Sequence, residues 1–136
     1  MIHHVSVEVS ELDRSARFYD AVVGPLGWRR QVETSEVIGW GIVKPVFFAS
    51  NRRPSAPGGG HVCFAASGMP AVKAAWEGGV AAGGSDDGAP GGRPQYGPAY
   101  YSAYLLDPDG YRIEIESTHT EPVAERERTR GTRCHR

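Results

Sequence analysis

Cysteine is scarce in this chain. Two stand in 136 residues, Cys63 in an apolar run and Cys134 in a polar tail. That excludes a disulfide framework and a CxxC metal pair. No apolar run approaches the ~20 residues that a helical bilayer span needs, and the start carries no basic-then-apolar leader. Net charge is nearly absent: 15 Lys and Arg stand against 16 Asp and Glu, a formal charge of −1. No whole-chain field therefore favours nucleic acid or an anionic membrane. The glycine-rich stretch 78–92 lacks the Lys-Ser/Thr ending of a phosphate loop. These absences predict a cytoplasmic protein that uses neither nucleic acid nor membrane as partner. The length suits one domain with a real core.

What is present is a repeated order of elements. Residues 2–9 alternate, with Val5, Val7 and Val9 on one face and His4, Ser6 and Glu8 on the other. Ser10 to Asp13 reads as a relative of the capping box. Leu12, Ala16, Tyr19 and Val23 follow at helical spacing, beside Phe18 and Val22, and "GPLG" at 24–27 stops the helix. Strands are predicted at 37–43 and 46–49, then a linker, "NRRPSAPGGG", at 51–60. The order then recurs. "HVCFAAS" at 61–67 reads as a strand. Residues 69–84 read as a weaker helix, interrupted by Gly78 and Gly79, with a stripe of Val72, Ala75, Trp76 and Val80. A long Gly/Pro loop covers 83–99. "YYSAYLL" and "YRIEIES" form two strands joined by "DPDG". A shift of 57 residues lays His4-Val5 on His61-Val62, Val7 on Phe64, Ser10 on Ser67, Tyr19 on Trp76 and Gly27 on Gly84. Two copies of a strand–helix–strands unit explain this, one over about 1–56 and the other over about 57–117.

If each sheet packs its apolar face on its helix, the polar strand faces line a shared cavity. His4, His61 and Glu114 then share the inner surface, with the modules paired either within one chain or across two, where His4 of one subunit joins the ligands of the other. His3 belongs with the valines, at a solvated edge. Two imidazoles and a carboxylate suit Fe, Mn, Ni, Co or Zn. Three protein ligands leave coordination positions open for a substrate.

The segments "HVSVEVSELDRSARFYDAVVGPLGW", "GHVCFAAS" and "LDPDGYRIEI" closely resemble the vicinal oxygen chelate superfamily. That group holds glyoxalase I, extradiol dioxygenases, fosfomycin-resistance thiol transferases and bleomycin-binding proteins. The resemblance covers about residues 2–117. It implies an α+β fold of two βαβββ modules forming a cupped open barrel, usually a homodimer, around a small-molecule ligand. It assigns His4, His61 and Glu114 to a divalent metal. The fourth ligand position of glyoxalase I-like members falls in "PVFFAS", on Phe47 or, one register step away, Phe48. The resemblance implies either a metal-dependent lyase or dioxygenase, or a metal-free antibiotic-binding protein with an aromatic cage.

Other residues bear on that cavity. Glu8 is the inward carboxylate nearest His4 in sequence and a candidate general base. Arg93, Tyr96, Tyr100 and Tyr101 lie in a loop able to act as a flap over the ligand. Phe47 and Phe48 are candidate apolar walls. Cys63 shares the His61 face, and its small size reads as packing. The tail 118–136 is charged, has no apolar stripe and reads as disordered.

Overall fold

The computed structural model describes residues 1–118. The charged tail, with Cys134, lies outside the described residues. The first module is β1 (Val5–Glu8), α1 (Leu12–Val23), β2 (Arg29–Glu33), β3 (Val37–Gly41) and β4 (Phe47–Ser50). The second is β5 (His61–Ala65), α2 (Met69–Ala81), β6 (Ser85–Gly92), β7 (Tyr101–Leu106) and β8 (Arg112–Ser117). Each module forms its own four-stranded sheet, in the orders β1-β4-β3-β2 and β5-β8-β7-β6. In both, the first strand pairs in parallel with the last, and the other pairs are antiparallel. The sheets are cupped and do not close into a barrel. No helix among the described residues is long and apolar enough to cross a membrane.

Two strands escaped the sequence pattern. β2, "RRQVE", is a polar edge strand with no buried residue. β6 occupies the stretch read as loop; its "SDDGAPGG" is an edge strand with two register shifts, where Gly and Pro are tolerated. Ser10 is not a cap. Glu11 holds the N-cap position without a side-chain bond, and Ser10 Oγ donates instead to Asp109 at 2.6 Å. The α1 stripe is buried as its spacing predicts. On α2, Val80 is exposed, and the buried line runs through Val72, Ala75 and Gly79.

Gly79 explains why α2 is so poor a helix by composition. The two helices cross here. A Cβ at Gly78 would stand 2.8 Å from the Ala21 carbonyl oxygen, and one at Gly79 would stand 2.7 Å from Leu105 Cδ1 and 2.8 Å from Val22 Cγ2. The glycines are what permits contact between the modules. Phe64 continues that contact, with Phe47 at 5.1 Å and Trp28 at 5.4 Å between ring centroids.

The "DPDG" turn ties the modules together with polar bonds. Asp107 is buried. Its Oδ1 accepts the amides of Asp109 and Tyr111, each at 2.9 Å, and its Oδ2 accepts the Tyr19 hydroxyl from α1 at 2.5 Å. Burial raises the Asp107 carboxyl above the usual range, although these bonds pull the other way. Tyr19 is raised well above an ordinary phenol, by burial first and by Asp107 second. Gly110, at φ 97°, closes the turn in the left-handed region.

Two stability tests follow from this packing. Gly79→Ala would gain about 1 kcal/mol of helix propensity. Overpacking against fully buried Val22 and Leu105 costs about 1–3 kcal/mol, so the variant should be the less stable in urea denaturation. Asp107→Ala leaves three donors without an acceptor and should cost about 3 kcal/mol, against about 1 kcal/mol for Asp107→Asn. A carboxyl raised on folding binds its proton more tightly in the folded state. It therefore subtracts stability as pH rises through its range, and Asp107→Asn should remove that slope.

Candidate functional site

The cup of the second module is built by the β5–β8 pair. Parallel register sets Cys63 beside Glu114 and His61 beside Arg112. Strand alternation sends Ile113 and Ile115 into the core, where both are fully buried. His61, Cys63 and Glu114 are left on the other face. His61 Nε2 lies 3.1 Å from Glu114 Oε1, and the Tyr100 hydroxyl donates to Glu114 Oε2 at 2.7 Å. Glu114 is only 3% exposed, so both carboxylate oxygens are committed to these partners and not to bulk water. Tyr104 stands opposite Glu114 in the neighbouring strand. The Arg112 guanidinium lies 4.4 Å over its ring and donates to Asp87 at 2.7 Å. Burial, then the Glu114 charge, raises the Tyr104 phenol. The sequence reading missed Tyr104 and Arg112, although alternation along "YSAYLL" and "YRIEIES" held the signal for both.

The cup of the first module has a different character. His4, Ser6, Glu8, Val37, Phe48, Ser50, Arg52 and Arg53 surround a hollow of about 340 Å³. The His4 ring stands edge-on to Phe48 at 5.4 Å, and His4 Nδ1 lies 2.8 Å from His3 Nδ1. Glu8 Oε2 accepts the Arg53 amide at 3.0 Å. Arg52 is tied to Glu36 at 2.9 Å.

The register decides between the two phenylalanines. Ser6 pairs with Phe48 as Cys63 pairs with Glu114, and Ser6 and Cys63 are 57 residues apart. Phe48 is thus the counterpart of Glu114. Phe47 points the other way and is 1% exposed in the core, so it is no cavity wall. Tyr101 likewise packs on the core side of β7. Tyr96 and Tyr100 meet edge-on with ring centroids 5.4 Å apart, and Arg93 fastens their loop by donating to the Ala89 carbonyl at 3.0 Å.

His61 and Glu114 come together; His4 does not join them within the chain. Among the described residues no three His, Cys, Asp or Glu side chains gather closely enough to hold an ion. The pair itself fits one. A divalent ion could replace the proton between Nε2 and Oε1, with an imidazole and a carboxylate as donors. A catalytic site of this kind needs a third protein donor.

Cys63 is not an activated thiol. It is exposed on the cup face and not packed in the core, yet partial desolvation, then the Glu114 carboxylate, pushes it up to about 12. At pH 8 it should react with iodoacetamide at least ~10-fold more slowly than free cysteine. Peptide-level mass spectrometry of the time course measures this; equal rates would contradict it.

Known proteins share this fold. A sequence profile of the Glyoxalase/Bleomycin resistance protein/Dioxygenase superfamily covers residues 1–115. The structure of a glyoxalase/bleomycin resistance protein from Albidiferax ferrireducens T118 superposes with a TM-score of 0.76. It shares 33% identity over 84% of this chain and 96% of its own. Lactoylglutathione lyase from Agrobacterium tumefaciens gives 0.62 at 19% identity, over 86% of this chain and 92% of its own. A fosfomycin resistance protein from Mesorhizobium loti gives 0.61 at 19%, over 91% and 94%. These last two likenesses show the fold alone. Comparison with curated protein sequences returned no match. On the profile and the first of these structures, the chain belongs to the Glyoxalase/Bleomycin resistance protein/Dioxygenase superfamily.

Proposed function

We propose that this protein is a divalent-metal-dependent enzyme acting on a small oxygenated molecule. The supporting observation is the His61–Glu114 pair, an imidazole nitrogen and a carboxylate oxygen 3.1 Å apart on rigid, parallel strands. His4 of a second copy supplies the third donor, so the working unit is a homodimer. Ile42 and Val43 are exposed and border an apolar hollow of about 200 Å³ with Trp28 and Val46, surface that a second copy would cover. A bound Fe, Mn, Ni, Co or Zn ion supplies Lewis-acid polarisation of substrate oxygens. Around it, Phe48 offers an apolar wall. Glu8 keeps one oxygen for a proton, since the other holds the Arg53 amide. The tyrosine loop carries Tyr96 and Tyr100, with Arg93 at its base. Lyase and ring-cleaving oxygenase chemistry are both within reach of such a site.

A second reading is a metal-free binding protein of the antibiotic-sequestering kind. Phe48, standing where symmetry places a second carboxylate, favours it. The 340 Å³ hollow it lines would hold the ligand.

Metal titration separates the two. Protein freed of metal and supplied with Co(II) or Mn(II) should bind one ion per His61–Glu114 pair, less tightly as acid protonates the imidazole. His61→Ala and His4→Ala should each abolish high-affinity binding. A refolded mixture of the two variants should recover about a quarter of the wild-type sites, because half of the dimers are mixed and each of those holds one intact site. Wild type that binds no ion would support the cage; full binding by His4→Ala alone would break the cross-chain assignment.

A further inference from the structure

We propose that Tyr100 is a positioning residue that holds Glu114 as a one-oxygen ligand, and so couples the tyrosine loop to ion binding. This rests on the metal reading above. Glu114 has two oxygens with different neighbours. Oε1 faces His61 Nε2 at 3.1 Å, and Oε2 takes the Tyr100 hydroxyl at 2.7 Å. An ion held by His61 and Glu114 would take Oε1, and the phenol would keep Oε2. The carboxylate cannot turn to use water instead, because it is 3% exposed and walled by β7.

Tyr100 is itself fixed. Its amide donates to the Gly97 carbonyl at 3.2 Å, its carbonyl accepts the Arg93 amide at 2.8 Å, and its ring packs on Tyr96. Gly97 sits at φ 149°, a backbone that disfavours other residues, so the turn delivers the phenol to one place. The first module has no such arrangement, since Phe48 offers no carboxylate to orient. Tyr100 is also the point where a ligand pressing on the loop would reach the ion. A donor hydrogen-bonded to a ligating carboxylate sets its orientation and tunes affinity, by ~10–100-fold in typical sites.

The test uses the full-length protein and Ni(II) alone, titrated in competition with a chromophoric chelator. Tyr100→Phe keeps the ring and the loop packing and removes only the hydroxyl. It should weaken Ni(II) binding about 10-fold or more, and the carboxylate oxygen left without its donor should lower the melting temperature modestly while the protein stays folded. A second readout needs no metal. It reads the contact of the Tyr100 hydroxyl with Glu114 Oε2 at 2.7 Å. At neutral pH the Cζ resonance of labelled Tyr100 should move in Glu114→Gln, which a hydroxyl without that bond would not show. Affinity that is unchanged or tighter in Tyr100→Phe, with wild type binding normally, overturns this assignment alone. Wild type that binds no Ni(II) overturns it together with the metal reading. A Tyr100 resonance that stays in place in Glu114→Gln overturns it as well.

Discussion

A strand–helix–strands unit buries its helix only if the chain returns so that its last strand lies beside its first. Here that return is parallel, in both modules, and the site depends on it. Parallel pairing of β5 with β8 fixes the phase of both strands against one helix. Ile113 and Ile115 must face that helix, because each is worth about 1.5–3 kcal/mol buried. Glu114, between them, must then face the cup, beside Cys63 and two residues along the register from His61. The same constraint in the first module sends Phe47 into the core and Phe48 into the cup beside His4. Chemistry on the cup face is thus a by-product of core packing on the other.

A second constraint joins the modules. Gly78 and Gly79 let α2 approach α1, Phe64 meets Phe47 and Trp28, and Asp107 takes the Tyr19 hydroxyl across the boundary. This shared core holds the cups as two separately hydrogen-bonded sheets. His4 stays with Phe48, and His61 stays with Glu114. The two halves have diverged in character: one cup presents an acid, an imidazole and phenols, the other an aromatic ring with arginines at its rim.

Much of this was legible in the sequence because alternation and helical spacing report burial directly. The valines of β1, the α1 stripe, the "DPDG" turn and the inward face of Glu114 all follow from it. Edge strands were not legible: β2 buries nothing and β6 is Gly- and Pro-rich, so neither needs an apolar rhythm. The choice between Phe47 and Phe48 was open because matching the ends of "PVFFAS" and "RIEIES" ignores where each strand pairs with its partner. Only the register against β1 and β5 resolves it. Ser10 had the composition of a cap and a better partner in Asp109, nearly a hundred residues away. Gly78 and Gly79 look like damage to a helix until its neighbour is in place. Convergence of His4 with His61 and Glu114 was inferred from the repeat, which specifies equivalent faces but not whether two faces meet within one chain.

In the proposed site, His61 and Glu114 hold a divalent ion, completed by His4 from a second copy. Anomalous diffraction from crystals grown with Co(II) tests it most directly. One peak per chain is expected at bonding distance from His61 Nε2 and Glu114 Oε1, with the His4 imidazole of a neighbouring copy as the third protein ligand. Co(II) crystals with no peak at that pair, or a peak there without His4, would contradict it.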